Sequence, residues 1–540
     1  MRLNKIRRAE EKGLEMVPGR VVGAAVAALG MLLSFYANAA DLRIGVGAEA
    51  TTLDPHYYNL NPNMEVDDHL YDYLLSFDAQ GRLIPGLATA WKAVDDATWE
   101  FTLRRNVRFH DGSPFTSADV GFTFARARKL TDSPDSYSRH FVRITDVSTP
   151  DDVTVRVKTD TPFSNLLREL AQIAIVSRKA GDAVTTADFN SGKAAIGTGP
   201  YKLVEWVQGD RLVLARNESY WGEKPAWDRV ILKPIVSSPA RTAALLAGDV
   251  DLINYVPSTD IAKLKTDPNL KLWQVVGNRV MYVVPDVDRE VSPFVTDLDG
   301  KALAKNPLKD VRVRRAISKA INRDALVNQV MEGVAMPADQ FLPAGFFGHS
   351  QKLKPEPYDL EGAKRLLTEA GYPQGFGLTI HGPNDRYLND AKIEEAVAQM
   401  LTRAGIKTKV ESIPKAVFFG RAAKLEFSFM FIGSAPATNE AADDMTYLLA
   451  TYNKEKGMGA GNRGRFSNQQ YDTLLDEALR TIADDKREQL LQRATEIAIG
   501  DQLGLIPLYY QVNVWGTRKG LTFVPRTDEL THAMDARPAP

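Results

Sequence analysis

Residues 360–432 contain the pattern that most restricts the fold of this chain. Apolar residues that share one face of a predicted helix come first. Apolar strands are then expected at 378–381, 406–410 and 427–432. A helix capped by Asp390 is expected between the first two of these strands. A strand, a helix and a second strand in this order predict parallel strands joined by a right-handed crossover. The fold class is therefore predicted to be α/β.

Residues 1–39 have the composition of an export signal. Six basic residues precede an apolar run at 21–35, and Ala37-Asn38-Ala39 follows as a small-residue cleavage site. The run is shorter than a bilayer-spanning helix, which disfavours the alternative of an uncleaved membrane anchor. We therefore expect a cleavable signal peptide at 1–39 and an exported mature chain, with translation starting at Met1 or Met16.

Composition excludes several classes of protein. The absence of cysteine excludes disulfides, thiol catalysis, cysteine-bound zinc and a lipid-modified N-terminal cysteine. A formal net charge of -1 provides no basic field for nucleic acid. At 540 residues the chain is too long for one core, so two or three domains are expected.

Catalytic and metal-binding motifs are not found in the sequence. It contains no GxSxG nucleophile elbow, no phosphate-binding loop and no HExxH motif. The seven histidines are scattered without metal-ligand spacing. We therefore expect a protein that is not an enzyme and that needs no cofactor or metal. A secreted hydrolase is the alternative from another class.

The segment 81–120 contains the most specific motif. Trp99, Phe101 and Leu103 alternate with polar residues and predict a strand, and Thr116 or Ser117 is expected to cap a helix. The residues of the motif, in order, are Pro85-Gly86-Leu87-Ala88, Trp91, Asp95-Asp96, Phe101, Leu103-Arg104, Phe109-His110-Asp111-Gly112, Phe115-Thr116 and Asp119-Val120. This order resembles the signature of family 5 extracytoplasmic solute-binding proteins, the dipeptide- and oligopeptide-binding components of ABC importers.

Further motifs of this family follow in the same order along the chain. They are Leu53-Asp54-Pro55-His56, Gly197-Thr198-Gly199-Pro200-Tyr201, Leu246-Ala247-Gly248-Asp249 and the DVRVRRAI segment at 310–317. The last of these is expected to be a helix capped by Asp310. The resemblance covers nearly the whole mature chain, residues 42–525.

This resemblance implies a two-lobed periplasmic-binding-protein fold with hinge strands and an extra subdomain inserted in the first lobe. The expected divisions are 40–85, 200–305 and 515–540 for lobe I, 86–199 for the inserted subdomain, and 306–514 for lobe II. The segment 285–307, where Asp, Gly and Pro are frequent, is expected to be a linker or hinge.

The resemblance also implies a function. Such a protein closes its lobes on a solute in the periplasm and delivers it to the ABC permease subunits and their ATPases. The expected ligand is a di- or oligopeptide, and the protein is expected to act as a monomer. Within the same class, the alternatives are glutathione, an opine, a nickel chelate, haem or a sugar-derived solute.

The binding residues of the family carry over unevenly. Glu49, Tyr137 and Arg421 fall on family binding positions. In peptide binders, the central strand leads into Gly-Trp-x-x-Asp, whose aspartate pairs with the free amino group of the peptide. Here the Trp and Asp positions are Ser434 and Ala437. The resemblance therefore implies that the usual partner of the ammonium is missing.

Nearby carboxylates are the candidates to replace this partner. A buried ammonium without a partner is costly. Glu440 is the first choice, with Asp443 and Asp444 as alternatives, unless the ligand has no free amino group there. Glu440→Gln is then expected to weaken a peptide ligand without unfolding the protein. The other interpretation of Glu440 is a carboxylate in a solvated loop.

Arginines and tyrosines supply the remaining candidates. Arg386 and Tyr387 follow a strand end, where clefts form in α/β sheets, and Arg386 is suited to bind a carboxylate bidentately. Arg463 and Arg465 follow a glycine-rich segment and are similar candidates. Tyr510 lies in the last predicted strand, either as a ligand contact or as part of the core.

Overall fold

The computed structural model describes residues 41–130, 133 and 136–540, so the expected signal peptide at 1–39 lies outside the described residues. The first ten strands are β1 (Asp41–Val46), β2 (Leu75–Phe77), β3 (Leu83–Pro85), β4 (Ala88–Asp95), β5 (Thr98–Leu103), β6 (Ile144–Asp151), β7 (Thr154–Thr159), β8 (Tyr201–Val207), β9 (Arg211–Arg216) and β10 (Arg229–Pro234). The others are β11 (Leu252–Ile253), β12 (Leu270–Pro285), β13 (Val295–Thr296), β14 (Ala335–Pro337), β15 (Phe376–Pro383), β16 (Ile406–Ile413), β17 (Phe429–Ser434), β18 (Ile506–Arg518), β19 (Leu521–Phe523) and β20 (Ala536–Pro538).

The α-helices of the described residues are α1 (Asn61–Leu70), α2 (Ser117–Lys129), α3 (Leu166–Leu170), α4 (Thr186–Asn190), α5 (Ser238–Ala247), α6 (Ser258–Thr266), α7 (Val311–Ala320), α8 (Arg323–Ala325), α9 (Leu360–Glu369), α10 (Asp390–Arg403), α11 (Lys415–Ala423), α12 (Ala441–Asp444), α13 (Gln469–Arg480) and α14 (Asp484–Thr495). Wider π-helical turns follow α8, α12 and α14 directly. No helix in this part of the chain is both long and apolar enough to cross a membrane.

Two long antiparallel strands connect the halves of the molecule. Twelve strands of the described chain form one mixed sheet in the order β13-β15-β17-β12-β18-β11-β1-β10-β9-β8, with β16 beside β15 and β14 beside β18. β12 and β18 lie at the centre, and the register of β12 shifts between Val276 and Val280. Before the shift β12 pairs only with β18, and after it β12 pairs with β17 as well. β12 and β18 are therefore the hinge strands between two lobes.

The chain crosses between the lobes within β12, at residues 277–279, and not in the segment 285–307 that was expected to be the hinge. A Cβ at Gly277 would lie 2.8 Å from Nδ2 of Asn513, so the strands approach closely at the crossing. The later segment already belongs to the second lobe: the backbone N–H of Asp286 donates to the carbonyl of Ser428 at 2.7 Å, and β13 pairs with β15.

A separate antiparallel sheet follows β3 in the first lobe, in the order β4-β5-β7-β6. The alternation predicted around Phe101 and Leu103 is confirmed, since both side chains are buried against this sheet's own core. Thr116 is the N-cap of α2, as expected, and its backbone N–H donates to Oδ2 of Asp119 at 2.9 Å. Local pattern alone therefore locates this sheet and its helix.

The parallel crossover predicted in the second lobe is confirmed. β15 and β16 are parallel with α10 between them, and β17 is parallel to β15. The expected cap is displaced by one residue: α10 begins at Asp390, but its N-cap is Asn389, with φ of 56°. Oδ2 of Asp390 instead accepts the backbone N–H groups of Arg386 and Tyr387, at 2.9 and 3.0 Å. Asp390 therefore shapes the loop of two candidate binding residues.

Asp310 caps α7, as expected, and accepts the backbone N–H of Arg312 at 2.8 Å. Asp310→Ala is expected to lower the free energy of unfolding by about 1 kcal/mol, because the first turn loses this acceptor. The hydrogen bonds from Arg312 hold the pKa of Asp310 below its usual range. This stabilisation is therefore present above the unfolded-state pKa and is lost as the pH falls through the lowered folded-state pKa.

Urea unfolding at neutral and acidic pH measures this contribution. Asp310→Asn is the matched control, since asparagine is an equally good N-cap residue. Identical urea midpoints for the alanine and asparagine variants at neutral pH would contradict the assignment of this cap.

Candidate functional site

A cavity of about 590 Å³ lies where the two lobes and the hinge meet. Its walls come from α1 and the residues after it, from the segment 526–535, from Asn278 in β12 and from the loop 435–439 after β17. Small-molecule sites occupy roughly 300–1,000 Å³, so this space is large enough for a ligand. We call it the cleft cavity.

Five aspartates are among the described residues that line the cleft cavity, namely Asp68, Asp72, Asp78, Asp528 and Asp535. Arg139, Arg526 and His532 are the basic residues among them. Burial raises the pKa of Asp72 and of Asp535, even though Asp72 accepts hydrogen bonds from neighbouring side chains. A positively charged ligand group would favour the ionised form of both carboxyls.

The loop after β17 is held in place by side chains that donate to its carbonyl oxygens. The donors and acceptors are Tyr387 OH to Gly433 (3.1 Å), Asn278 Nδ2 to Pro436 (3.3 Å), Gln172 Nε2 to Ala437 (3.0 Å) and Arg168 Nη1 to Thr438 (3.0 Å). Gln172 and Arg168 belong to the first lobe, whereas the loop belongs to the second. These bonds therefore join the lobes across the cleft cavity.

Tyr255, Arg279, Arg386, Tyr387 and Glu529 form a second polar group beside this loop, which we call the hinge cluster. Arg279 donates two hydrogen bonds to Glu529, at 2.7 and 3.0 Å. Arg386 is exposed, and its guanidinium lies 5.1 Å from the ring centre of Tyr387. It has no carboxylate within ion-pair distance among the described residues. Arg386 is therefore available to a ligand carboxylate.

Asp444 lies after the loop that follows β17, and one of its two carboxylate oxygens has no hydrogen-bond donor among the described residues. Ser434 donates its Oγ–H to Oδ1 of Asp444 at 2.6 Å. Burial raises the pKa of Asp444 to about 7, and Oδ2 has no hydrogen-bond donor in the described part of the chain. Arg463 lies in the same region, close to Tyr282, with its guanidinium 5.7 Å from the ring centre of Phe419.

Of the carried-over family positions, Tyr137 lines the cleft cavity, and its side chain is buried. Glu49 lies away from that cavity, where it accepts the backbone N–H of Gly209 at 2.6 Å. Arg421 is bound within the second lobe by Glu411 and Glu426, at 2.7 and 2.9 Å. The charge of Arg421 is therefore already neutralised by its own lobe.

Glu440 and Tyr510 are both fully enclosed by protein. Glu440 forms ion pairs with Arg168 and Arg487, which leaves its carboxylate no surface toward the cleft cavity. The hydroxyl of Tyr510 donates to Oδ1 of Asp339 at 2.8 Å, and the ring is part of the core of the second lobe. Both residues therefore stabilise the fold, and neither faces the cleft cavity.

Sequence reasoning missed Gln172, Asn278 and Arg279, which bind the loop or the hinge. The sequence around Gln172 contains no motif that distinguishes it from a surface glutamine. Asn278 and Arg279 follow Gly277 inside a long strand, and a glycine at such a position often marks a bulge or a close approach of backbones. That signal could have indicated the crossing at residues 277–279, but not the contacts of its side chains.

The family model described as "Bacterial extracellular solute-binding proteins, family 5 Middle" matches residues 82–456. The match includes more than half of the chain, the hinge strand β12 and the loop after β17. The chain belongs to this family. As a family 5 protein, it is an extracytoplasmic solute-binding component of an ABC transporter, a class that binds its solute without converting it.

This family 5 protein is 30% identical over 468 residues to the glutathione-binding protein GsiB of Pectobacterium atrosepticum, with 85% of this chain and 86% of that protein covered. Its fold is similar to that of HbpA2 from Haemophilus parasuis, with a TM-score of 0.78 at 24% identity over 93% and 100% of the two chains. DppA from Helicobacter pylori, in complex with peptide STSA, gives a TM-score of 0.72 at 24% identity over 92% and 98%. These likenesses confirm the two-lobed α/β periplasmic-binding-protein fold.

Proposed function

We propose that this protein captures a short peptide between its lobes in the periplasm and delivers it, as a monomer, to the transmembrane subunits of an ABC importer and their ATPases. The basic and apolar composition of residues 1–39 supports export with a cleavable signal peptide. The volume of the cleft cavity, about 590 Å³, suits a small ligand.

The observation that carries the peptide proposal is the opposite charge of two adjoining sites. The cleft cavity is acidic, whereas Arg386 of the hinge cluster has a free guanidinium. The two sites meet along the loop after β17, since Tyr387 binds Gly433 and Ala435 already lines the cavity. A short peptide carries an ammonium at one end and a carboxylate at the other, so its charges match both sites.

Glutathione is a second candidate, favoured by two observations. The relative GsiB is named a glutathione-binding protein. In addition, both Arg386 and Arg463 have guanidiniums without a carboxylate partner among the described residues, and glutathione carries two carboxylates and one ammonium. An arginine is well suited to each carboxylate because its planar fork donates two parallel hydrogen bonds.

Contacts between the lobes on both sides of the hinge support capture by closure. On the cavity side, the backbone N–H of Ser164 donates to the carbonyl of Leu479 at 3.1 Å. On the other side, Nδ2 of Asn389 donates to Oγ of Ser258 at 3.2 Å. A ligand favours this closed arrangement only by binding it more tightly than the open one.

Isothermal titration calorimetry with trialanine and with glutathione tests the proposal, together with small-angle X-ray scattering. We expect at least one of the two compounds to bind, to reduce the radius of gyration and to be recovered unchanged. Release of a cleaved product would favour a hydrolase instead. Failure of both compounds to bind would contradict the proposal.

Arg386→Ala is expected to weaken binding of the recognised compound by about 1.5–3 kcal/mol, or roughly 10- to 150-fold in Kd, because one charge-assisted pair is lost. The fold should be unaffected, since the Arg386 side chain is exposed. Arg403→Ala is the matched control, because Arg403 is an exposed arginine at the far end of α10. Equal Kd values for the two variants by calorimetry would remove Arg386 from the site.

A further inference from the structure

Two side-chain amides flank the loop where the family's aspartate is missing. Nε2 of Gln172 donates to the carbonyl of Ala437 at 3.0 Å, and Nδ2 of Asn278 donates to the carbonyl of Pro436 at 3.3 Å. Both residues line the cleft cavity, although their side chains are 5% and 3% exposed. They reach the loop from different elements, Gln172 from the first lobe and Asn278 from the hinge.

The hydrogen-bond network fixes which end of each amide is the nitrogen. A backbone carbonyl only accepts hydrogen bonds, so a rotated amide would place two acceptor oxygens against each other. The nitrogens of Gln172 and Asn278 must therefore contact the loop. The carbonyl oxygen of each amide is then directed away from its loop acceptor.

These two oxygens have no donor. Oε1 of Gln172 and Oδ1 of Asn278 are buried, and neither receives a hydrogen bond from the described residues. Buried polar atoms without a partner are rare in folded proteins, so each of them calls for an explanation. A ligand with N–H groups would supply the missing donors.

The surroundings favour a charged donor. The aspartates of the cleft cavity give the site a negative field. Two of these aspartates, however, already have partners within the protein. Asp68 accepts from the hydroxyl of Tyr73 at 2.6 Å and pairs with His532 at 2.8 Å, and Asp528 accepts from Arg526. The field therefore attracts a cation, and the two amide oxygens lack a hydrogen-bond donor among the described residues, as does Oδ2 of Asp535.

We propose that Oε1 of Gln172 and Oδ1 of Asn278 accept hydrogen bonds from the ammonium group of the ligand. They would take the place of the family's aspartate, which is Ala437 here. This inference rests on the proposed function, since it identifies the residues that recognise the amino end of the peptide or of glutathione.

A double-mutant cycle between protein and ligand tests the inference. The probes are trialanine and its des-amino analogue propanoyl-Ala-Ala, or glutathione and its des-amino analogue glutaryl-Cys-Gly. Gln172→Met removes the acceptor with little change of shape. We expect it to raise Kd about tenfold for the compound with the ammonium and less than about twofold for the des-amino analogue. Gln172→Glu keeps an acceptor for the ammonium but loses the N–H that donates to the carbonyl of Ala437, so it should weaken binding of the des-amino analogue more than binding of the ammonium compound.

Arg168→Met is the control for a role in positioning alone, because Arg168 also holds the loop but has no acceptor to offer. It should weaken both members of a probe pair by the same factor. An equal loss for both probes with Gln172→Met would overturn the inference while leaving the proposed function intact. Asn278→Ser repeats the test at the hinge, and thermal unfolding checks that each variant is folded. If the unsubstituted protein binds neither ammonium compound, the proposed function fails and the inference fails with it.

Discussion

Glu440→Gln is expected to lower the free energy of unfolding by about 3–5 kcal/mol, the usual effect of removing one partner from a buried ion pair. The side chain of Glu440 is 0% exposed, between Arg487 at 3% and Arg168 at 17%. Its carboxylate is bound by Arg487 and lies 2.9 Å from Nε of Arg168. A neutral amide would leave two guanidiniums facing each other inside the protein. Urea unfolding followed by tryptophan fluorescence measures the loss.

The same substitution is expected to open the lobes. Glu440 and Arg487 both belong to the second lobe, whereas Arg168 lies in α3 of the first, so one of the two ion pairs forms only when the lobes are together. Burial lowers the pKa of Arg168, which means that its charge is poorly solvated where it lies. Without Glu440 the arginine is better solvated in the open form. We expect a larger radius of gyration by small-angle scattering and weaker ligand binding.

An exposed ion pair provides the control for this change. Glu477 lies 2.8 Å from Lys486, with side chains 47% and 61% exposed. Because exposed pairs contribute little, Glu477→Gln should alter stability by at most about 0.5 kcal/mol. Adding Arg168→Met to Glu440→Gln should restore part of the loss, since one unpaired guanidinium is removed. A Glu440→Gln protein as stable as the Glu477→Gln protein would contradict the assignment of a buried ion-pair cluster.

Local patterns were enough to predict much of the fold. The alternation of apolar and polar residues around Phe101 predicts a strand that is buried on one face. The continuous apolar run of β17 predicts a strand that is buried on both faces. The crossover from β15 through α10 to β16 has one allowed hand, so its arrangement followed from the order of the elements. The family motifs added the two-lobed architecture, which no local pattern contains.

The candidate site could be predicted only in part, because burial depends on residues far apart in the chain. Glu440, Asp443 and Asp444 are three carboxylates in one short stretch, and the sequence does not show which of them is enclosed by arginines. Arg487 and Arg168 enclose the first of them, while Asp444 keeps a free oxygen beside Ser434. In contrast, the location of Arg386 after the carboxyl end of a parallel strand followed from the sequence, and its role in binding stays a prediction.

The second large effect is expected at the hinge, where Arg279→Met should lower the free energy of unfolding by about 3–5 kcal/mol. Arg279 and Glu529 are 9% and 6% exposed, and they form two parallel hydrogen bonds. With methionine, Glu529 would keep only the amide of Gln511, at 3.2 Å, as a side-chain donor among the described residues. A buried carboxylate with so little compensation is strongly unfavourable.

Because the Arg279–Glu529 pair lies at the hinge, its loss is also expected to affect closure of the lobes. Arg279 lies in the register shift of β12, and the neighbouring backbone N–H of Asn278 donates to the carbonyl of Thr527 at 2.9 Å. The pair therefore holds the segment around Glu529 against the strand that moves when the lobes open. We expect Arg279→Met to weaken ligand binding as well as stability, and calorimetry beside urea unfolding separates the two effects.

A double variant without both charges separates the cost of an unpaired buried charge from the loss of packing around the Arg279 side chain. The combination of Arg279→Met with Glu529→Gln should recover most of the lost stability, because no charge is then left buried without a partner. Arg537 and Glu223 form an exposed pair, with side chains 53% and 71% exposed, so Arg537→Met should alter stability by at most about 0.5 kcal/mol. If Arg279→Met unfolds at the same urea concentration as Arg537→Met, the buried pair does not stabilise the hinge. If the double variant is no more stable than Arg279→Met, the lost stability comes from the packing of the Arg279 methylene groups and not from the unpaired carboxylate of Glu529.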